Sequence, residues 1–153
     1  MTVEIVQLKK TTLIGLGLHD LAPADAGRIG PLWERFLPRM MEVETTDPER
    51  AYGANLPRSE ERFDYLAGVA VMPQTKPPEG MTRVEIPGGR YARFVHRGPV
   101  STFMTTIEKV FGEWLPAAGL GHGPGPLLEV YGPRFKGPHD PDSEFDYLVP
   151  VKR

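Results

Sequence analysis

The chain has 153 residues, 20 acidic and 18 basic side chains, and a formal net charge of −2. This length allows one domain with a real hydrophobic core, and the interspersed charges lack the basic surface that direct nucleic-acid binding would need. Cysteine is absent, which excludes disulfides, thiolate catalysis and cysteine-bound zinc, so we expect a reducing, cytoplasmic setting. The first residues lack the order of a signal peptide, and no apolar run is long enough for a membrane span.

The first half of the chain is predicted to contain four strands and one helix. Apolar residues recur at helical spacing from Ile29 to Met41 and predict an amphipathic helix that begins near Gly30. Asp25 is its expected N-cap, and Pro38 is expected to kink or end it. The predicted strands are residues 3–9, 11–18, 51–53 and 62–72. Residues 73–80, with two adjacent prolines, are the predicted linker.

The second half is predicted to repeat this order. Residues 81–86 and 90–96 flank a turn at residues 87–89 and are predicted to pair as a β-hairpin. A second amphipathic helix is predicted to follow Gly98-Pro99, with Ser101 as its N-cap, and to stop at Pro116. Residues 119–126 are the predicted loop. The last two predicted strands are residues 126–132 and 144–152.

An internal repeat organises these elements. The tetrapeptide FDYL occurs at residues 63–66 and again at 145–148, and the pair Tyr52-Gly53 is answered by Tyr131-Gly132. Offsets near eighty residues, in the same order, predict a duplicated β-α-β-β unit. The expected fold is α+β, with one antiparallel sheet shared by the two units, two main helices packed on one face, and a ligand cleft at the pseudo-twofold seam. Residues 1–153 are predicted to be a single domain, with repeats at about 1–73 and 80–153.

A glutamate lies in the middle of the strand predicted at residues 126–132. Alternation places Glu129 and Tyr131 on one face of this strand, and Leu128 and Val130 on the other. A charged group in so apolar a strand either reaches solvent at a sheet edge or has a partner. We interpret Glu129 as the anionic floor of a small-molecule cleft, and a solvated edge-strand glutamate is the alternative.

Aromatic residues are concentrated in the segments expected near the seam. A carboxylate surrounded by aromatic faces suits hydrophobic cations, at roughly 0.5–2 kcal/mol for each cation–π contact. The alternative is that these rings belong to the core. The four histidines lack metal-ligand spacing, and we expect no metal and no cofactor. The ligand-binding residues predicted here are Glu129, Tyr131, Trp33, Tyr52, Tyr65 and Trp114.

Several short motifs resemble one family. They are LIGL at 13–16, LW at 32–33, PEGM at 78–81, IPGGRYARFVHRGP at 86–99, WLP at 114–116, LEVY at 128–131 and VPVK at 149–152. Together they resemble the GyrI-like small-molecule-binding domain, the effector-binding domain of AraC-type and MerR-type transcription activators. The resemblance implies the duplicated fold described above and a cleft glutamate that meets cationic aromatic ligands. Glu129 is the residue that best matches that position.

The resemblance leaves three functions open. No helix-turn-helix precedes Val3, so we expect a stand-alone member that captures hydrophobic, cationic small molecules and does not bind nucleic acid directly. Some relatives of this family hydrolyse cyclopropane-type toxins, and Glu129 with Tyr131 would serve that reaction here. Others are gyrase-inhibitor-like interaction modules, which would imply a protein partner or a homodimer.

Overall fold

The computed structural model describes residues 3–152, and the two ends of the predicted domain, residues 1–2 and 153, lie outside the described part. The described residues form nine strands and two helical regions. The strands are β1 Glu4–Leu8, β2 Thr11–Leu21, β3 Ala51–Pro57, β4 Phe63–Val71, β5 Thr82–Ile86, β6 Gly89–Arg97, β7 Gly121–His122, β8 Leu127–Tyr131 and β9 Glu144–Lys152. The α-helical segments are α1 Ile29–Phe36, α2 Phe103–Lys109 and α3 Leu115–Ala117.

The strands form one antiparallel sheet in the order β1-β6-β9-β8-β3-β4-β2-β5, and the short β7 pairs with β9. The order is symmetric about its centre, since β8 and β3 are equivalent, as are β9 and β4, β6 and β2, and β1 and β5. The centre of the sheet is therefore the pairing of β3 with β8. The prediction of an α+β fold, with one antiparallel sheet and two main helices, is confirmed.

The predicted β-hairpin of residues 81–86 and 90–96 is wrong. Strand β5 pairs with β2, with Thr11 opposite Ile86, whereas β6 pairs with β1, with Leu8 opposite Gly89. Each half of the chain thus gives its first strand to the other half. The glycine-rich turn signal at residues 87–89 shows only that the chain turns there. It carries no information about which strand becomes the hydrogen-bonded neighbour.

This exchange forces the sheet to curl. Strands β1 and β2 lie at the first and seventh of eight positions in the sheet, yet only Lys9 and Lys10 join them. Two linking residues span roughly 11 Å at most between the flanking Cα atoms, which is far less than the width of a flat sheet of this size. The two edges of the sheet must therefore lie close together.

Alternation along each strand separates the core into two faces. On one face, α1 covers a cluster that includes Ile14, Tyr65 and Val69, and the second helical region covers a cluster that includes Phe94, Tyr147 and Val149. The opposite face, inside the curl, carries the residues that alternate with these along each strand. That face is built from Leu13, Ala54, Leu66, Ala70, Ile86, Tyr91, Leu128 and Leu148.

The helices differ from the prediction in detail. Asp25 is not an N-cap: it lies inside the 3₁₀ turn Pro23–Arg28, where its carboxylate accepts a hydrogen bond from the Ala22 N–H at 2.9 Å. As predicted from Pro38, the regular α-helix ends early, and a 3₁₀ turn, Leu37–Glu42, follows α1. Ser101 is not an N-cap either, because it lies within the 3₁₀ turn Val100–Thr102 and Thr102 precedes α2.

The second helical region continues through a turn of π-helix, Val110–Trp114, into α3. Pro116 lies inside this last segment instead of stopping the helix before it. Strand β3 begins at Ala51, as predicted, and continues to Pro57, and β7 falls in the predicted loop.

Candidate functional site

Glu129 lies at the centre of the sheet, on the face that carries the helices. In the pairing of β3 with β8 it stands opposite Gly53. Its Oε1 atom accepts hydrogen bonds from the hydroxyl groups of Tyr65, at 2.8 Å, and Tyr131, at 2.6 Å. The Tyr65 hydroxyl in turn accepts a hydrogen bond from Nε1 of Trp33 on α1, at 2.9 Å. The carboxylate is therefore held in a defined position by two strands and, through Tyr65, by a helix.

The two oxygens of the Glu129 carboxylate differ in their hydrogen bonds. No hydrogen bond reaches Oε2 of Glu129 from the described residues, although Glu129 as a whole is half-buried. No fully buried side-chain oxygen or nitrogen in the described part lacks a partner. Oε2 therefore retains some solvent-accessible surface. The two oxygens of one carboxylate thus have different environments, one bound internally and one open.

Gly53 makes room for this arrangement. A Cβ atom at this position would overlap the Tyr65 hydroxyl and would lie 2.6 Å from Oε1 of Glu129. Real Cβ atoms do not approach other heavy atoms this closely, so any larger residue would displace the hydrogen-bonded pair. Only the absence of a side chain at Gly53 lets the phenol reach the carboxylate across the strand pair.

Burial dominates the electrostatics of the site. It raises the pKa of Glu129 above the usual 4.5, although the hydrogen bonds from Tyr131 and Tyr65 favour the charged form and oppose the shift. The pKa values of Tyr65 and Tyr131 are raised well above 10, first by burial and then by the negative charge of Glu129. Both phenols therefore remain protonated donors at neutral pH. A positive charge beside Oε2 would lower the pKa of Glu129 again.

A chain of aromatic rings links the two helical regions past the carboxylate. Edge-on or tilted contacts run from Trp33 to Tyr131 at 5.3 Å between ring centroids, and from Tyr131 to Phe145 at 4.7 Å. They continue from Phe145 to Phe103 on α2 at 4.9 Å, and from Phe103 to Tyr147 at 5.1 Å. Tyr147 stands opposite Glu129 in the pairing of β8 with β9. Glu129 is thus bordered by aromatic rings from both halves of the chain.

The structure brings together four of the six predicted ligand-binding residues: Glu129, Tyr131, Tyr65 and Trp33. Tyr52 lies on the other face, because it pairs with Val130 in the register that sets Gly53 opposite Glu129. The correspondence of Tyr52 with Tyr131 is therefore wrong, since their side chains point to opposite faces. Trp114 stacks on Phe94 at 6.0 Å, and its ring contacts in the described residues do not include the Glu129 group.

The prediction missed Gly53 and Phe103 as components of the site. Phe103 falls on the apolar stripe of the second helix, which indicates burial and nothing more. Gly53 is visible in the sequence as a strand glycine, which often marks a close approach of another group. Only the strand register identifies that group as a carboxylate.

Within residues 3–152, no three histidine, aspartate or glutamate side chains lie close enough to hold a metal ion. None of the helices in the described part of the chain is both long and apolar enough to span a membrane.

A few fixed polar groups among aromatic side chains are typical of small-molecule-binding domains. The half-buried carboxylate of Glu129, bordered by aromatic rings between two helices, has this character. The sequence model of the family described as Cass2, integron-associated effector binding protein, matches residues 4–151. The chain belongs to this family of effector-binding proteins. The family resemblance read from the sequence motifs is thereby confirmed.

Individual relatives agree with this assignment. The chain is 35% identical over 152 residues to the transcriptional regulator BrlR of Pseudomonas aeruginosa, and the match covers 99% of this chain and 56% of BrlR. The chain therefore spans about half the length of that regulator. The structure of SAV2435 bound to tetraphenylphosphonium has the same fold, with a TM-score of 0.78 and 17% identity over 99% of this chain and 94% of SAV2435. The integron cassette protein VCH_CASS2 of Vibrio cholerae matches with a TM-score of 0.68 and 17% identity, over 98% and 95% of the two chains.

Proposed function

We propose that this chain captures hydrophobic, cationic aromatic molecules on the helix-bearing face of the sheet, with Glu129 as the counter-charge. The observation that carries the proposal is the unequal pair of carboxylate oxygens. Oε1 is fixed by the hydroxyls of Tyr65 and Tyr131, and Oε2 has no protein partner among the described residues. A carboxylate preorganised in this way can meet a cation without rearranging its internal hydrogen bonds.

The surroundings favour a cation of aromatic or apolar character. Ring faces attract positive charge by roughly 0.5–2 kcal/mol per contact. Tyr131 donates a hydrogen bond to the carboxylate, and its ring contacts that of Trp33. A small hydrated ion would gain little from this environment, because its hydration shell would have to be removed against apolar groups. Tetraphenylphosphonium, the molecule bound to SAV2435, is of the class that fits. We further propose that the chain acts as one cytoplasmic binding unit, with repeats at about residues 1–73 and 80–153.

A fluorescence titration tests the charge preference. The reporter is Trp33, which touches Tyr131, and a Trp114→Phe background removes the second tryptophan of the chain. The probes are tetraphenylphosphonium, tetraphenylborate of nearly the same shape but negative charge, and neutral triphenylphosphine oxide. We expect tetraphenylphosphonium to bind at least tenfold more tightly than either other probe. Tenfold corresponds to about 1.4 kcal/mol of binding free energy.

Two variants with the same change in net charge separate the site from the general field of the protein. Glu129→Gln is expected to weaken tetraphenylphosphonium binding at least tenfold. Glu60→Gln, at an exposed position, is expected to leave it unchanged. Binding by the unmodified protein should also strengthen as pH rises through the raised pKa of Glu129, and that dependence should vanish in Glu129→Gln. Equal affinity for the phosphonium and the borate would refute the proposal.

The hydrolase alternative has one observation in its favour. A reachable carboxylate oxygen with a raised pKa, beside a tyrosine hydroxyl, is an arrangement that can act as a general base on water. The substrates would be strained, reactive electrophiles of the cyclopropane type. Turnover that depends on the protein and is lost in Glu129→Gln would support this function, and an unchanged rate of spontaneous decay would exclude it.

A further inference from the structure

A concave site lies on the opposite face of the sheet from Glu129. It is a cavity of about 230 Å³ inside the curl, where strands of both halves converge. The neighbouring residues Glu129 and Val130 face the two sites separately, since Val130 lines this cavity and Glu129 does not. The sheet itself therefore separates the cavity from the carboxylate described above.

The body of this cavity is apolar. Besides Val130, its apolar lining includes Val6, Leu8, Leu13, Ile86, Leu128 and Leu148. Val6 and Leu8 are only half-buried, so apolar surface remains in contact with water. Covering such surface gains about 25 cal/mol per Å². Sites for drug-sized molecules measure roughly 300–1,000 Å³, so a cavity of this volume favours a smaller apolar group.

The charged side chains at the rim are already paired with side chains of opposite charge. Arg93 lies 3.0 Å from Asp146 and 3.0 Å from Glu4, and Arg50 lies 3.0 Å from Asp47. A ligand with a net charge would have to compete with these internal pairs for a partner. An uncharged ligand would leave them intact. The paired rim therefore favours an uncharged ligand.

Tyr52 offers the polar contact. Its hydroxyl makes no hydrogen bond to the described residues, and its side chain lines both this cavity and an adjoining depression that includes Thr11, Thr46 and Asp47. A phenol can both donate and accept a hydrogen bond, so it can pair with a hydroxyl group on a ligand. Tyr52, which is absent from the Glu129 site, has the position of a binding residue here.

We propose that this cavity is a second binding site, for a small uncharged amphiphile whose apolar part fills the space between β1, β2 and β8 and whose hydroxyl group pairs with Tyr52. The site is independent of the carboxylate on the helix-bearing face. The chain would then bind two chemically different molecules, one on each face of a single sheet.

Three eight-carbon probes test the proposal on the full chain: 1-octanol, octylammonium and octanoate. Backbone amide shifts of Val6, Tyr52 and Val130 in two-dimensional NMR spectra report on the cavity, and the indole N–H of Trp33 reports on the Glu129 site. We expect 1-octanol to bind at least fivefold more tightly than either charged probe. It should shift the cavity amides saturably and leave the Trp33 signal unchanged, and saturating tetraphenylphosphonium should not displace it.

Variants locate the site. Val6→Trp places a large side chain in the cavity from an edge strand and is expected to weaken 1-octanol binding at least tenfold. Tyr52→Phe removes only the hydroxyl and should weaken it about threefold, the effect of losing one modest hydrogen bond. Glu129→Gln should leave 1-octanol binding unchanged. The proposal for this cavity can therefore be refuted or supported independently of the proposal for the Glu129 site. Thermal melts of each variant establish that it is folded.

Three results would overturn the inference. The first is equal affinity for all three probes. The second is a 1-octanol titration in which the Trp33 indole signal shifts more than the amides of Val6, Tyr52 and Val130. The third is an absence of saturable shifts at those three amides. If Val6→Trp does not fold, a different pair of results overturns the inference. They are full 1-octanol affinity in Tyr52→Phe and charged probes that bind as tightly as 1-octanol.

Discussion

At the scale of single residues, Glu129 combines two requirements that usually conflict. A carboxylate surrounded by protein is costly to keep charged, and it needs hydrogen bonds to remain so. Tyr65 and Tyr131 supply those bonds on one oxygen only. The other oxygen has no partner among the described residues, and under the proposed function a ligand cation completes the pairing.

The raised pKa of Glu129 makes the stability of the unmodified protein, compared with that of Glu129→Gln, depend on pH. Because folding raises this pKa above 4.5, the folded state holds the proton more tightly than the unfolded state does. The contribution to stability is fully present below pH 4.5 and is lost as pH rises through the raised pKa. Glu129→Gln cannot titrate at this position. Its free energy of unfolding should therefore rise relative to that of the unmodified protein as the pH is raised from 4 to 8.

Urea denaturation at several pH values measures this difference. Glu60→Gln, an exposed position with the same change in charge, is the control and should track the unmodified protein. A constant difference between Glu129→Gln and the unmodified protein from pH 4 to pH 8 would contradict the stated cause of the pKa shift.

Gly53 should not tolerate even one additional carbon. A methyl group in Gly53→Ala would collide with the Tyr65 hydroxyl and Oε1 of Glu129. Both are anchored by hydrogen bonds, so neither can move away freely. We expect a loss of about 1–3 kcal/mol in the free energy of unfolding, the usual cost of overpacking. Tetraphenylphosphonium binding should weaken in the same variant, whereas a stability equal to that of the unmodified protein would rule out the close approach.

At the scale of elements, the second helical region shows how a short irregularity orients buried residues. The Leu115 N–H donates to the Val110 carbonyl, five residues earlier, in the π turn Val110–Trp114. Val110 and Leu115 are both almost fully buried, at 0% and 3% exposure. A regular α-helix would rotate residues five apart away from each other. The wider turn keeps both side chains on the sheet.

Gly112 lies in this same turn, and a Cβ atom there would meet nothing within 4 Å. Glycine costs a helix roughly 0.5–1 kcal/mol relative to alanine, mainly through backbone entropy. Gly112→Ala should therefore raise the free energy of unfolding by about that amount, opposite in sign to Gly53→Ala. Thermal and urea denaturation of the two variants side by side measure both signs, and destabilisation by Gly112→Ala would show that the turn needs glycine.

At the scale of the whole molecule, the exchange of edge strands makes each half depend on the other. Strand β1 of the first half pairs with β6 of the second, and β5 of the second pairs with β2 of the first. The central pairing of β3 with β8 adds a third connection. Neither half has a complete sheet by itself, although each has its own helix and its own cluster beneath that helix.

Separated halves should therefore fold only together. Cutting within the loop after β4 gives fragments 1–76 and 77–153, and each alone would expose the interior face of the curl. We expect each fragment alone to show weak, uncooperative thermal unfolding by circular dichroism. Their equimolar mixture should give one cooperative transition and a 1:1 complex by sedimentation. A fragment that melts cooperatively alone would contradict this mutual dependence.

The sequence was sufficient for much of the fold because its signals there are local and repeated. Alternation located most of the strands, and the FDYL repeat at 63–66 and 145–148 indicated the duplicated arrangement. The same alternation placed Glu129 and Tyr131 on one face. The β-hairpin prediction was wrong because the turn signal at residues 87–89 is local. The pairing partner of each strand depends on contacts with strands that are distant in the sequence.

What the sequence determined by itself was the class of fold, the family and the carboxylate at the centre of the sheet. Tertiary structure alone decided that Tyr65 reaches Glu129 and Trp33 reaches Tyr65, that Gly53 makes room for the Tyr65 hydroxyl, and that Tyr52 faces the other side. Residue types and their spacing set which side chains share a face of one strand. The register between strands, in which a shift by one residue reverses every face, sets which of them meet.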